Sequence, residues 1–134
     1  MALTEFRLQI VTPDGLLYDG EAQKLILRTT EGDVGILARH SDFVTPLSIG
    51  VARIFSDDGE HRAACAGGML SVSGGAVRVV ASTFEWEEDI DVERAKRAKS
   101  KAEERIKKAA DKYEARLAEI KLKKSLARLN ASKK

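Results

Sequence analysis

The chain up to about Thr83 alternates apolar and polar residues with a period of two. Phe6, Leu8 and Ile10, for example, alternate with Arg7 and its polar neighbours. Such alternation is typical of strands that bury one face and expose the other. Turn-forming segments separate the runs, at Pro13-Asp14-Gly15, Asp19-Gly20, Glu31-Gly32, Asp57-Asp58-Gly59, Gly67-Gly68 and Gly74-Gly75. The pattern therefore predicts a small β-sandwich or flattened barrel.

From Ile90 onward the period changes to that of a helix. Apolar residues then recur every three or four positions, at Val92, Ala95, Ala98, Ala102, Ile106, Ala109 and Tyr113, and again at Ala115, Ala118, Leu122, Leu126 and Leu129. The only break is a soft one at residues 107–112, where Asp111 is the best candidate to start a second helix. The segment predicts either a helical hairpin or a continuous rod of about 60 Å. Two accessible shapes are the physical basis of a conformational switch.

We place the domain boundary at this change of period. Residues 1–86 are predicted to form the β-sandwich, and residues 87–134 the helical domain. The chain has 134 residues, which fits one small domain with an appendage. Its single cysteine, Cys65, excludes an intrachain disulfide, as is typical of a reducing compartment. The apolar runs are too short to cross a bilayer, so we expect no direct membrane insertion.

The charge pattern leaves two further classes of function open. The formal net charge is only +2, but basic residues outnumber acidic ones from Lys96 onward. This tail could belong to a basic helical module that binds nucleic acid or acts as an adaptor. Acidic residues interrupt the tail, and Tyr113 is its only aromatic residue, so we expect no nucleic-acid partner. The sequence contains no recognisable nucleophile–base pair, metal-ligand cluster or phosphate-binding loop, so we expect no catalytic residues and no metal.

Four segments in a fixed order carry a family resemblance: VTPDGLLYDGEA, TEGDVGILARHSDFVTPL, AGGMLSVSGGAVRVVAS and DIDVERA. With these segments the chain resembles, over its whole length, the epsilon subunit of bacterial F-type ATP synthases. One position departs from the pattern, because Ala38 stands where the family usually has proline.

The resemblance implies a β-sandwich of about ten strands followed by a C-terminal α-helical hairpin that can also extend. It implies a non-catalytic central-stalk rotor subunit, peripheral to the cytoplasmic face of the bacterial cell membrane, that couples the gamma subunit to the c-ring. Extended helices would reach the catalytic alpha/beta head and inhibit ATP hydrolysis, whereas folded helices would permit it. Glu31, Asp33 and His40 would lie at the c-ring and gamma interfaces.

The resemblance also implies a regulatory ATP site. Ile90, Asp91, Arg94 and Ala95 match the ATP motif of the family position by position. Arg94 follows Asp91 by three residues, so both project from one side of the first helical turn. An arginine can bind phosphate oxygens with two hydrogen bonds. Asp91 could equally be a simple helix cap, and the two roles are compatible.

The remaining ATP-binding residues implied by the resemblance are Glu85, Lys101, Lys124 and Arg128. Lysine replaces the usual arginine at positions 101 and 124, which keeps the charge but loses the planar fork. Folding the hairpin would bring Arg94 and Lys101 of the first helix close to two cations of the second helix, Lys124 and Arg128. Like charges at short distance repel one another. ATP, with or without magnesium, would offset that repulsion and favour the folded form. We expect Trp86, the only tryptophan, to fill the seam between sandwich and helices rather than to lie beside adenine.

Overall fold

The structure is a computed structural model that describes residues 4–132. The strands are β1 (Phe6–Thr12), β2 (Gly15–Ala22), β3 (Lys24–Thr29), β4 (Gly32–Leu37), β5 (Phe43–Pro46), β6 (Ile49–Ser56), β7 (Gly59–Ser73) and β8 (Ala76–Trp86). A single 3-10 turn (Glu87–Asp89) leads into helix α1 (Val92–Lys108) and then helix α2 (Lys112–Ser132). The predicted fold class, a β-sandwich followed by a helical hairpin, is confirmed.

The strands form one hydrogen-bonded sheet that closes around a core. Its order is β2-β1-β8-β7-β6-β3-β4, and β5 pairs with β7 outside this path. All pairs are antiparallel except β1 with β8. The described residues contain eight strands where about ten were expected, because two strands are long. One of them, β7, has 15 residues and the other, β8, has 11.

Strand β7 pairs with different strands along its two parts, because it bends at two glycines. Residues before the bend pair with β6, and residues after it pair with β5. Gly67 and Gly68 have φ values of 69° and 117°, which residues with a Cβ rarely adopt. The alternation read from the sequence holds in β1, where Phe6, Leu8 and Ile10 are at most 2% exposed. Their side chains belong to the core cluster of the sandwich.

The helical region is folded back as a hairpin. The break predicted at residues 107–112 is confirmed, since α1 ends at Lys108 and α2 begins at Lys112. Asp111 Oδ1 accepts a hydrogen bond from the backbone N–H of Glu114 at 2.8 Å. Glu114 Oε2 accepts one from the backbone N–H of Ala110 at 3.0 Å. Side chains therefore satisfy two N–H groups at this reversal, as helix starts require.

Helix α2 buries Ala118 of the predicted apolar stripe, but its other buried residues lie outside that stripe. It contacts α1 on one side and strands β6 and β7 on another. Its buried residues are Ala118, Ser125, Ala127 and Ala131. Leu126, predicted as part of the stripe, is 37% exposed. A helix with two neighbours uses two narrow faces lined by small residues, so the larger leucines stay near its edges. Within residues 4–132, neither helix combines the length and apolar character needed to span a membrane.

Candidate functional site

The junction of the sandwich and the helices takes its shape from a change of side-chain direction in β7 and β8. Core-facing residues are odd-numbered in the first part of β8, as at Val79 and Ala81, but Phe84 is the next to face the core. The change lies opposite the Gly67–Gly68 bend. Glu85 consequently points away from the core, towards α2. Without the bend, strict alternation would have buried this carboxylate.

An ion pair joins the sandwich to α2 at this point. Arg128 Nε donates a hydrogen bond to Glu85 Oε1 at 3.0 Å. The two side chains are 37% and 39% exposed, so the pair is accessible to water and ions. Glu85 and Arg128 are 43 residues apart in sequence, so the pair is a long-range contact between the end of α2 and β8.

Asp91 begins α1 as its N-cap, as predicted. Its Oδ1 accepts a hydrogen bond from the backbone N–H of Arg94 at 3.0 Å. One carboxylate oxygen is thus used by the cap, and the negative charge lies at the positive end of the helix dipole. The cap leaves the Arg94 guanidinium exposed, on the side of α1 that faces Arg128.

Five of the eight predicted ATP-binding residues line one cavity of about 210 Å³. Its lining residues are Glu85, Asp89, Asp91, Arg94, Ala95, Ala98 and Arg128. We call it the acidic cavity, because three of its seven residues are carboxylates. Sites for drug-sized ligands have volumes of about 300–1,000 Å³, so this cavity is too small to hold a whole nucleotide.

A second cavity of about 230 Å³ lies between the two helices and shares Ala98 and Arg128 with the first. Its other lining residues are Lys101, Ala102, Arg105, Lys121, Lys124 and Ser125. Five of its eight residues are cations and none is acidic, so we call it the basic cavity. Together the two cavities have carboxylates at one end and a cluster of cations at the other.

Ile90 is the predicted site residue that the structure places elsewhere. Its side chain is 8% exposed and belongs to an apolar cluster with Ala64, Ala127 and Ala131. Within the described structure it therefore packs the C-terminal end of α2 onto the sheet, and it does not line either cavity.

Sequence reasoning missed two cations of the basic cavity, Arg105 and Lys121. Arg105 lies one helical turn after Lys101, and Lys121 lies two turns before Arg128. Helix positions three, four or seven apart share one face. The spacing could therefore have identified both residues once Lys101 and Arg128 were chosen.

The three residues predicted for the c-ring and gamma interfaces lie at opposite ends of β4. Glu31 is in the β3–β4 turn, and the carboxylate of Asp33 pairs with Arg28 Nε on the adjacent strand at 3.1 Å. His40 lies beyond the other end of β4, where its ring is 5.7 Å from that of Phe43. A six-residue strand spans roughly 17 Å, so Glu31 and His40 belong to separate surfaces. Their assignment to interfaces remains a prediction.

The expectation that Trp86 fills the seam is wrong. Its ring makes edge-on contacts with Phe84, Tyr18 and His61, at centroid distances of 5.2, 6.1 and 6.5 Å. Trp86 also packs against the core cluster of the sandwich. The same change of direction that turns Glu85 towards α2 turns Trp86 away from it.

Both halves of the chain match family models of one class. Residues 5–87 match the model described as the ATP synthase delta/epsilon chain beta-sandwich domain. Residues 88–133 match the model of the long alpha-helix domain of the same chain. A sandwich followed by a helical hairpin is thus the two-domain architecture of ATP synthase delta/epsilon chains.

The similar sequences narrow this class. The ATP synthase epsilon chain of Alkaliphilus oremlandii is 46% identical over 101 residues, 75% of each chain. That of Alkaliphilus metalliredigens is 43% identical over 130 residues, 97% of each chain. The chain belongs to the ATP synthase epsilon chain family. A chain in the Euglena gracilis mitochondrial ATP synthase superposes with a TM-score of 0.84, covering 96% of this chain and 81% of that one; at 24% identity it supports the fold alone.

Proposed function

We propose that this chain is a non-catalytic regulatory subunit of the ATP synthase rotor that inhibits ATP hydrolysis when its C-terminal helices extend. In this proposal ATP binds the folded hairpin, is not hydrolysed there, and favours the folded form. The observation that carries the proposal is the basic cavity, because its cations come from both helices. Lys101 and Arg105 belong to α1, and Lys121, Lys124 and Arg128 belong to α2. Only a folded hairpin brings the two sets together.

The electrostatics of this cavity link ligand binding to helix folding. Five cations that face one small space repel one another, and this repulsion favours extension. A triphosphate placed among them replaces repulsion with charge-assisted hydrogen bonds. ATP can shift the equilibrium only by its difference in affinity for the two shapes. In the proposal the folded form has the higher affinity, because extension would separate the cations of α1 from those of α2.

The two cavities suit the two ends of a nucleotide. The carboxylates of the acidic cavity can accept hydrogen bonds from an adenine amino group or from ribose hydroxyls. One oxygen of Asp91 is used by the cap, which leaves Oδ2 for such a contact. The triphosphate would extend past Arg94 and Arg128 into the basic cavity. Magnesium would be carried by the phosphates, in keeping with its preference for oxygen ligands and water.

A row of exposed apolar residues supports a contact with the gamma subunit. Pro46, Met69 and Val80 are aligned neighbours across β5, β7 and β8. Met69 and Val80 are 43% and 46% exposed, and nearby Val44 is 64% exposed. Contiguous exposed apolar residues on a sheet commonly mark a protein interface. We assign this row to gamma and the β3–β4 turn with Glu31 and Asp33 to the c-ring. These contacts would hold the chain at the cytoplasmic face of the membrane, and the helices would reach the alpha/beta head only when extended.

Calorimetric titration of the isolated chain with ATP tests the nucleotide site. Arg94→Ala and Lys124→Ala should each weaken binding about tenfold or more, since hydrogen bonds to charged groups contribute about 1.5–3 kcal/mol. Asp91→Asn keeps a good N-cap while removing the charge, so a loss of ATP affinity in this variant would come from the carboxylate and not from the cap. Arg78→Ala removes an exposed cation from β8 and is the matched control, expected to bind like the parent chain. Equal affinity in all four variants would exclude this site.

A further inference from the structure

A further cavity, of about 720 Å³, lies between α2 and strands β3, β4, β6 and β7. It shares no lining residue with the acidic or the basic cavity. We call it the sheet groove, and its volume is typical of small-ligand sites. Its charged lining residues are five cations and one carboxylate, namely Lys24, Arg28, Arg53, Arg62 and Lys123 with Asp33.

Strand pairing places arginines side by side in this groove. Arg53 of β6 lies directly opposite Arg62 of β7, and on its other side Arg53 lies opposite Ile26 of β3. Like charges directly opposite each other on neighbouring strands destabilise a sheet. An anion bound beside Arg53 and Arg62 would therefore lower the repulsion between them.

Carboxylates hold two of the arginines in place. Glu60 accepts hydrogen bonds from Nε and Nη2 of Arg53, both at 3.0 Å. Asp33 pairs with Arg28 Nε at 3.1 Å. The Arg28 side chain also lies across Gly50, where an added Cβ would be 2.6 Å from Arg28 Cβ. A guanidinium has five N–H donors, so an arginine in an ion pair can still bind a second anion.

The carboxylates do not balance the positive charge of the groove. Within residues 4–132, neither Lys24 nor Lys123 forms an ion pair. Apolar residues such as Ile26, Val51 and Leu126 also line the groove. A cleft with charges of one sign and walls of low dielectric constant concentrates the field, and thereby attracts ions of the opposite sign.

We propose that the sheet groove binds an inorganic oxyanion with more than one phosphate group, of the pyrophosphate class, which bridges the sheet and α2. Arg28, Arg53 and Arg62 belong to three adjacent strands. These strands span roughly 10 Å at about 4.8 Å each, so the cations suit an anion longer than one phosphate group. Lys123 supplies the contact from α2, and the anion consequently favours the docked hairpin by its difference in affinity for the two shapes. The site is separate from the proposed ATP site and does not depend on it.

Titration of the full, nucleotide-free chain with pyrophosphate, followed by amide NMR, tests this proposal. The amide signals of Gly35 and Gly50 report the groove, because both residues line it. They should shift in a saturable manner, whereas sodium chloride at the same ionic strength should not produce this shift. Arg28→Gln and Lys123→Gln should each weaken binding about three- to tenfold, since each removes a charged donor from a partly exposed site. Pyrophosphate should bind about tenfold or more tightly than phosphate, because its second phosphate group adds charge-assisted contacts.

Two further variants separate the groove from other effects of charge. Arg7 pairs with Asp19 and its side chain is 48% exposed, against 49% for Arg28, so Arg7→Gln is the matched control and should bind like the parent chain. Arg105→Gln removes a cation of the basic cavity and should leave the affinity at the groove unchanged. The amide signals of Ala98 and Ala102 report pyrophosphate in the basic cavity, so the two sites are followed separately.

Three results would each overturn the proposal. The first is the absence of a saturable shift at Gly35 and Gly50, even if Ala98 and Ala102 respond. The second is parent-like affinity in both Arg28→Gln and Lys123→Gln. The third is equal affinity for phosphate and pyrophosphate. Since no sample contains nucleotide, a failure of ATP binding would leave these results unaffected.

Discussion

Asp91 caps a helix and also lines a cavity of the candidate site. Its Oδ1 caps α1 through the backbone of Arg94, and its carboxylate also lines the acidic cavity. Loss of such a cap typically costs about 1 kcal/mol of stability. Because the cap also fixes the first helical turn, it orients the Arg94 side chain beside Arg128. A weakened ligand affinity in Asp91→Ala alone would thus combine two effects.

Cys65 offers a prediction at the same scale. It is buried in the sandwich core, and burial raises the pKa of its thiol from 9.0 to about 12. At about pH 8 the thiolate fraction of the folded chain is then about a thousandfold lower than that of an exposed cysteine, and the thiolate is the reactive form. An aromatic disulfide reagent should therefore modify the native chain very slowly and the urea-unfolded chain rapidly. Equal rates in the two states would contradict the burial of Cys65.

At the scale of elements, the Gly67–Gly68 bend decides which side chains meet the helices. An added Cβ at Gly68 would lie 1.9 Å from the carbonyl oxygen of Val80 and could not be accommodated without movement of the backbone. Gly59, the first residue of β7, has nearly the same φ, 113° against 117°, but nothing lies within 4 Å of its added Cβ. A comparison of the two glycines therefore separates the energetic cost of a positive φ from the cost of a close contact between strands.

The two corresponding alanine variants test this difference. Gly59→Ala should lower the free energy of unfolding by about 1–2 kcal/mol, the cost of a left-handed conformation. Gly68→Ala should lose about 1–3 kcal/mol more, because it also forces overpacking between β7 and β8. Urea unfolding, followed by circular dichroism, measures both values. Equal losses would mean that the strands do not approach each other closely at Gly68.

The elements themselves could be predicted from the sequence, because each has a clear period. Alternation identified the strands, and Asp111 correctly marked the start of α2. The surfaces that elements present to one another were harder to predict. The direction of Glu85 and Trp86 depends on a bend in the neighbouring strand, which alternation within β8 does not contain. The buried face of α2 depends on its having two neighbours, so Leu126 was placed wrongly.

The candidate site could be predicted only in part, for similar reasons. Asp91 and Arg94 are close in sequence, and a local motif with a cap predicts their arrangement. The proximity of Arg128 to Glu85 depends on how the hairpin docks, which no local pattern determines. Only the family resemblance assigned both residues to one site. The side chain of Ile90 packs the junction in the described structure, so its assignment to the site remains a prediction.

At the scale of the whole molecule, the central feature is the docking of the hairpin on the sandwich. Among the described residues, an apolar cluster is supplemented by the Glu85–Arg128 ion pair and by a hydrogen bond from Arg62 to the carbonyl of Asn130; the cluster contains Ala64, Ile90, Ala127 and Ala131, with Ile49 and Val51 packed against it. Changing a two-state population from 1:99 to 99:1 requires about 5.5 kcal/mol of differential binding. Multiple charge-assisted contacts to a triphosphate are of that order. The proposed function therefore requires ATP to bind the folded form more tightly than the extended form by an amount of this order.

Reconstitution with the cognate gamma subunit and alpha/beta head tests the regulatory function most directly. The full chain is compared with a truncated chain of residues 1–90, after both are shown to bind gamma. The account predicts that the full chain lowers the steady-state rate of ATP hydrolysis, that the truncated chain does not, and that rising ATP relieves the inhibition. Equal hydrolysis rates in the two complexes at every ATP concentration would contradict a regulatory function for the helices.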